Sequence, residues 1–172
     1  APGRLGGLAR TAPVTFVAFL AAALAISGVP GFSGFVSKGL VVTAAETAGS
    51  DALWWVLVAG GVGTVLSFAK FGYYAFVRPA PADLTVEPAG PALRVVLLAV
   101  AVPCVALGLV PGLFLGAMPG DPAGFAPYAA SELGKAAATV GGGVVAFALA
   151  RRSLSRLPAT DVDRLLNPTA AA

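Results

Sequence analysis

The sequence predicts an all-α integral membrane protein with about four transmembrane helices, the first of them discontinuous at Gly28–Gly34. The 172-residue chain is 58% hydrophobic and only 11% charged, and its mean hydropathy is +0.88. Soluble domains carry about 25% charged residues, so these side chains could not cover a soluble surface. Long apolar runs, separated by loops that are charged or rich in proline and glycine, place the spans.

The composition argues against several classes of function. The net charge is +3, but the arginines stand at the ends of apolar runs, which indicates loop charge rather than a nucleic-acid surface. Histidine is absent and Cys104 is the single cysteine, inside an apolar run, where we expect it to serve core packing. The sequence also lacks a phosphate loop, a nucleophile elbow and a dinucleotide fingerprint. We therefore expect no cofactor, no metal and no nucleic-acid partner.

The predicted organisation is a short lead, four spans and a tail. The boundaries are 1–12 for the lead, 13–45, 52–78, 92–115 and 128–150 for the spans, and 151–172 for the tail. The second span starts at Trp54 and Trp55 and ends near Tyr73 and Tyr74, as expected of aromatic belts at two interfaces. Roughly 19 residues separate the belts, which at about 1.5 Å each matches a hydrocarbon core of about 30 Å. We expect Pro103 to kink the third span.

The first span is predicted to come apart between Gly28 and Gly34. Pro30 lacks a backbone N–H and would clash with the preceding turn of a helix. Gly31 and its glycine neighbours permit backbone that is not helical. Inside a bilayer such a break is tolerated only where protein or water surrounds it.

Loop charges favour one broken span over two short ones. With one span, eight arginines fall on one face of the membrane: Arg4, Arg10, Arg78, Arg94, Arg151, Arg152, Arg156 and Arg164. The other face receives four acids and one lysine: Glu46, Asp51, Asp121, Glu132 and Lys135. This split predicts that the arginine face and both chain ends are cytoplasmic. With two spans, Arg4 and Arg10 would lie on the opposite face of the membrane from the other arginines, and the separation of charges would be less clear.

A secretory signal peptide is a competing interpretation of the start. It would also combine early arginines with an apolar run that ends in small residues, here ALAISG. Further apolar spans follow this run instead of a soluble domain, which favours a membrane span.

Lys38 is the main candidate for chemistry. A lysine at mid-membrane costs roughly 2.5–3.5 kcal/mol on insertion scales. Desolvation and the positive end of the second half-helix both destabilise its charged form. Ser33 and Ser37 could hold water beside it. A broken helix with a buried lysine is typical of an ion or proton pathway; the alternative is a lysine that snorkels to the interface.

The other charged residues carry weaker predictions. Lys70 lies about one turn before the tyrosine pair, so it either snorkels or is an exit residue between Lys38 and the cytoplasm. Glu46 is expected to be a solvated loop acid that could accept a proton at the outer mouth. Glu132 and Lys135 are expected to form an interfacial pair without a role.

Three stretches resemble the antiporter-like subunits that respiratory complex I shares with Mrp-type cation/proton antiporters. They are GGLARTAPVT at 6–15, SGVPGFSGFVSKGLV at 27–41 and LWWVLVAGGVGTVLSFAKFGYYAF at 53–76. APYAASELG at 126–134 and DVDRL at 161–165 look more like the D subunit of the Mrp type than like a complex I subunit.

The resemblance implies an inverted-repeat antiporter fold whose second repeat contains the broken helix. In that family the lysine of the GF-x-SK pattern, here Lys38, is the terminal site of a proton-relaying chain of buried lysines and a glutamate. The other members of that chain lie in upstream helices that this sequence does not contain. The chain therefore resembles a C-terminal part, about four spans of some fourteen.

Three hypotheses follow. The first is a non-enzymatic subunit of a multisubunit monovalent cation/proton antiporter in a prokaryotic plasma membrane, with other membrane subunits, protons and Na⁺ as partners. The second is a proton-pumping, non-redox membrane subunit of NADH:quinone oxidoreductase. The third is a membrane scaffold that transports nothing, in which Lys38 would be exchangeable for arginine or glutamine.

Overall fold

A computed structural model describes residues 6–79, 89–118 and 125–154, with side chains up to Arg151, and its regular elements are helices. They are α1 (Leu8–Thr11), α2 (Pro13–Ser27), α3 (Ser33–Thr47), α4 (Asp51–Gly72), α5 (Pro91–Leu109), α6 (Pro111–Leu115) and α7 (Ala130–Leu154). A π-helical turn, Tyr73–Val77, extends α4. The start of the predicted lead and most of the predicted tail, including DVDRL, lie outside the described residues.

Three helical segments are long and apolar enough to cross a membrane: Asp51–Val77, Pro91–Leu109 and Ala130–Arg151. Pro13–Ser27 is a shorter apolar helix. These helices confirm the predicted all-α, multi-pass membrane fold.

The predicted break in the first span is present, between α2 and α3. The α2 helix ends at Gly28, whose φ of 77° is left-handed, and Gly28 N–H and Val29 N–H donate to the carbonyls of Ala25 and Leu24 at 3.0 and 3.1 Å. This pair of bonds is a Schellman motif, which satisfies the last carbonyls of a helix. The backbone stays non-helical until α3 begins at Ser33.

The two half-helices lie in series along α4. At one end, Gly7 N–H donates to the carbonyl of Arg78 at 2.6 Å, which places the start of α2 beside the end of the π-helical turn. At the other end, Trp54 Nε1 donates to Glu46 Oε1 at 2.9 Å, which places the end of α3 beside the start of α4. Since α4 returns over the combined length of α2 and α3, these form one broken crossing.

Helix α5 covers the break. Gly108 lies directly against the backbone of Gly31 and Phe32, where a β-carbon would overlap main-chain atoms. Tyr128 holds this contact, because its hydroxyl donates to the Gly108 carbonyl while its ring lies 5.4 Å from that of Phe35. Protein thus covers the non-helical backbone on the side of α5, where a bilayer would leave its polar groups unsatisfied.

The α7 helix runs in the same direction as α4. A β-carbon on Gly61 would come within 2.7 Å of Thr139, and further along both helices the rings of Tyr73 and Phe147 lie 5.9 Å apart. Residue numbers therefore increase in the same direction along the two helices. Arg151 stacks over the Tyr73 ring at 5.1 Å.

These contacts place two groups of charged residues at opposite ends of the bundle. The arginine end contains Arg10, Arg78 and Arg151. The carboxylate end contains Glu46, Asp51, Glu132 and Lys135.

The third span differs from its predicted bounds of 92–115. Helix α5 ends at Leu109 because Val110 leaves helical geometry, with φ −119° and ψ 73°, and Pro111 has no N–H to continue the ladder. The remaining residues form the separate short helix α6. Pro103 lies inside α5, which continues past it.

We predict that Gly34→Ala destabilises the broken span. A methyl group at Gly34 would overlap the carbonyl oxygen of Ala25, so α2 and α3 would have to move apart. Such overpacking costs about 1–3 kcal/mol. Gly63→Ala on α4 is the control, because a β-carbon there has no neighbour within 4 Å. Thermal unfolding in detergent should show a lower midpoint for Gly34→Ala alone, and equal midpoints would contradict the close approach.

Candidate functional site

Lys38 lies in the second turn of α3, directly beside the break. Its Cδ is 3.4 Å from the position that a β-carbon on Gly28 would occupy, so the lysine stem lies over the end of α2. The ammonium nitrogen is buried and has no hydrogen-bond partner among the described residues. A buried polar atom without a partner costs free energy, so it is expected where it has a function.

The space beside Lys38 is a cavity of about 450 Å³ between α3, α4 and α7. Its polar lining consists of Ser27, Ser37, Lys38, Thr64, Glu132, Lys135 and Thr139. The hydroxyls of Ser37, Thr64 and Thr139 donate to carbonyls of their own helices at 3.4, 2.8 and 2.9 Å. Their oxygen lone pairs therefore remain able to accept hydrogen bonds from water or an ammonium.

A second charged group borders the same cavity. Lys135 Nζ lies 2.7 Å from Glu132 Oε1, and 2.9 and 2.8 Å from the two carboxylate oxygens of Glu46. One ammonium thus bridges two carboxylates from different helices, because Glu46 belongs to α3 and Glu132 to α7. We call these three residues the bridged triad.

Two further hydrogen bonds hold the bridged triad. The Thr43 hydroxyl donates to Glu132 Oε1 at 3.4 Å, and Trp54 donates to Glu46. Glu46 lies just beyond the predicted first span, and the hydrogen bond from Lys135 lowers the pKa of its carboxyl group. Glu46 is exposed, as expected of a solvated acid, but it lies in the last turn of α3 rather than in a loop and is ion-paired with Lys135.

Gly39 separates Lys38 from the bridged triad. Glu132 Oε2 is 3.5 Å from the position of a β-carbon on Gly39, and the Phe125 ring is 3.1 Å from it. Because residue 39 has no side chain, the Glu132 carboxylate reaches the α3 backbone one residue from Lys38. Two groups that can carry a proton thus line one cavity.

The structure separates the predicted site residues into two sets. Ser37 lines the cavity with Lys38, while Pro30 and Gly31 lie in the break and Ser33 and Gly34 begin α3. Lys70 lies apart, exposed on α4 and outside the cavity lining. It is six residues beyond Thr64, or about 9 Å toward the arginine end.

The sequence predicted the pair of Glu132 with Lys135 but did not predict that Glu132 is buried or that Lys135 also pairs with Glu46. Glu132 is 9% exposed, and Glu46 stands 89 residues from Lys135 in the chain. The i,i+3 spacing indicates the contact between Lys135 and Glu132. The contact between Lys135 and Glu46 follows only from the packing of α7 against α3. Within the described ranges, no three His, Cys, Asp or Glu side chains gather as metal ligands.

Comparison with known families supports a functional interpretation of this geometry. Residues 3–67 match the model of the NADH:quinone oxidoreductase/Mrp antiporter transmembrane family. The match includes α2, the break, Lys38 and most of α4. Residues 3–67 are therefore similar to this family of membrane subunits. The predicted family resemblance is thereby confirmed, and the bridged triad apart from Glu46 lies outside the matched residues.

Curated relatives carry related names. The chain is 37% identical over 117 residues to NADH-quinone oxidoreductase subunit 14 of Thermus thermophilus, and the match covers 66% of this chain and 26% of the relative. It is 36% identical over 119 residues to NAD(P)H-quinone oxidoreductase chain 4 1 of a Picosynechococcus species, covering 63% and 22%. Over 46 residues it is 54% identical to NADH-quinone oxidoreductase subunit L of Mycobacterium tuberculosis, covering 27% and 7%. The matched chain spans about a quarter or less of the length of these relatives.

We predict that Lys38→Met stabilises the protein. The substitution keeps an unbranched stem over Gly28 and removes a buried ammonium that has no partner among the described side chains. Relief of an unsatisfied buried polar group is worth about 1–3 kcal/mol. Lys70→Met is the matched control, since Lys70 is exposed. Unfolding midpoints in detergent should rise for the first variant and stay unchanged for the second. A fall for Lys38→Met would mean that the ammonium has a stabilising partner.

Proposed function

We propose that this chain forms part of a proton-translocating membrane subunit and that Lys38 takes up and releases the transported proton. The observation that carries the proposal is the buried ammonium at the helix break, which has no hydrogen-bond partner in the part of the chain that the structure describes and lies on the wall of a cavity with further polar groups. Ionisable residues inside membranes mark ion or proton pathways. A lysine without a fixed counter-charge can exist charged or neutral at modest cost, as a relay requires.

The orientation of the pathway follows from the charge split. Positively charged loops favour the cytoplasmic side, so the arginine end faces the cytoplasm of a prokaryotic cell and the carboxylate end faces outward. Lys70 lies on the arginine side of the cavity, which supports it as the residue that exchanges protons between Lys38 and the cytoplasm.

We propose that the parent complex is an Mrp-type antiporter that exchanges a monovalent cation such as Na⁺ for protons. The resemblance of residues 126–134 and 161–165 to the D subunit supports this choice. Other membrane subunits would be its partners, and no redox centre would reside in this chain. The names of the relatives favour a second candidate, a proton-pumping membrane subunit of NADH:quinone oxidoreductase.

One assay separates the two candidates. Inside-out vesicles energised by respiration are loaded with a pH-sensitive dye, and Na⁺ is added after the proton gradient has formed. In the antiporter, a Lys38→Ala variant should lose the Na⁺-induced collapse of the gradient while NADH oxidation continues. In the oxidoreductase, the same variant should reduce NADH-driven gradient formation, and Na⁺ should have no effect.

We predict that both Lys38→Ala and Lys38→Arg abolish proton translocation in the native complex. Alanine removes the relay group, and arginine keeps a charge that is not released near neutral pH. Ser67→Ala is the control, because the Ser67 hydroxyl is exposed and donates to its own helix at Gly63. Normal translocation by Lys38→Arg would contradict the relay and favour the scaffold hypothesis.

Lys70 allows a separate prediction. As a relay residue it should tolerate neither methionine nor arginine, whereas a snorkelling lysine needs only its charge. We expect Lys70→Arg to slow translocation, measured with the same dye in vesicles that contain equal amounts of the complex. A rate equal to that of the unmodified protein would remove Lys70 from the pathway.

A further inference from the structure

We propose that Glu132 is the next proton carrier after Lys38 on the way to the carboxylate end, with Lys135 and Glu46 as its positioning residues. The inference rests on the proposed function and extends it to α7, beyond the residues that match the family. Three independent features of the described residues support it: a shared cavity, a gradient of exposure and the geometry of the bridged triad.

The shared cavity supplies the path. Lys38 and Glu132 both line it, and the absence of a side chain at Gly39 brings the Glu132 carboxylate to the α3 backbone next to Lys38. A volume of about 450 Å³ holds several water molecules, since one occupies about 30 Å³ in the liquid. Water between the two groups would carry the proton.

The exposure of the triad rises from Glu132 through Lys135 to Glu46. The Glu132 side chain is 10% exposed, that of Lys135 is 25% and that of Glu46 is 40%. The carboxylate that lines the cavity together with Lys38 is therefore the buried one, and the acid paired with it through Lys135 is the most exposed of the three. This order fits a route from the interior of the membrane to its outer face.

Because Lys135 pairs with two carboxylates, Glu132 can be neutralised while Lys135 still has a counter-charge in Glu46. When Glu132 is ionised, Lys135 pairs with it and with Glu46 at the same time. When Glu132 takes a proton, Glu46 remains as the counter-charge, because both of its oxygens already lie within 2.9 Å of Lys135 Nζ. A buried ion that loses its only partner is strongly destabilised; the second carboxylate prevents that loss.

The transfer step conserves charge and protons. The Lys38 ammonium gives one proton through water to the Glu132 carboxylate, which leaves a neutral amine and a neutral carboxylic acid. The acid then releases that proton to water at the carboxylate end and becomes a carboxylate again. Lys38 is recharged from the arginine end.

The test is proton translocation by Glu132→Gln in the native complex, measured in energised inside-out vesicles. Glutamine keeps the size and the hydrogen bond with Thr43 but carries no exchangeable acid proton. Proton transfer by a positioned side chain contributes about 10²–10⁴-fold to rates, so we expect at least a roughly tenfold loss. Glu132→Asp should recover part of the rate, because aspartate keeps an exchangeable acid proton. Asp51→Asn is the control, because Asp51 is exposed at the same end and lies outside the cavity lining.

Assembly is measured in parallel by the amount of complex in the membrane. If Glu132→Gln prevents assembly, the double variant Glu132→Gln/Lys135→Gln removes both charges of this ion pair together and should assemble without translocating protons. Full translocation by either assembled variant would overturn the role of Glu132. If Lys38→Arg also translocates normally, the proposed function fails as well; if Lys38→Arg is inactive, only this inference fails.

Discussion

The structure depends on one constraint: an ammonium group is buried at the point where a membrane helix comes apart. The stem of Lys38 packs over Gly28, which ends α2 in the left-handed geometry that favours glycine. The exposed backbone of the break in turn needs cover, which α5 supplies through Gly108. Gly108 thus permits the close approach of two helical segments, and Gly28 lies at the position where the charged side chain of Lys38 packs.

Most of the fold could be predicted because membrane physics restricts the alternatives. Apolar runs of sufficient length must be helices, and the arginine split distinguished one broken span from two. The end of α5 was misplaced because apolar residues continue past Val110, and hydropathy alone does not show that the backbone turns there. The π-helical turn at Tyr73–Val77 likewise has no signature in hydropathy.

The candidate site could be predicted only in part. Lys38 stands out from the sequence because a charge in an apolar run is rare. The bridged triad cannot be recognised from the sequence, because its two acids belong to helices that are distant in the chain. They meet only after α7 packs beside α3 and α4. A local pair such as Glu132 and Lys135 has the same spacing on a solvated surface and in a membrane cavity, so spacing cannot reveal burial.

The most direct test of the central claim is chemical replacement of the amine at position 38. In a Cys104→Ala background, Lys38→Cys should not translocate protons in native vesicles. Aminoethylation of the new thiol, which restores a primary amine of nearly the same length, should return translocation, whereas carbamidomethylation should not. Undiminished translocation by Lys38→Cys before any modification, or equal recovery with both reagents, would contradict an account in which the buried amine carries the proton.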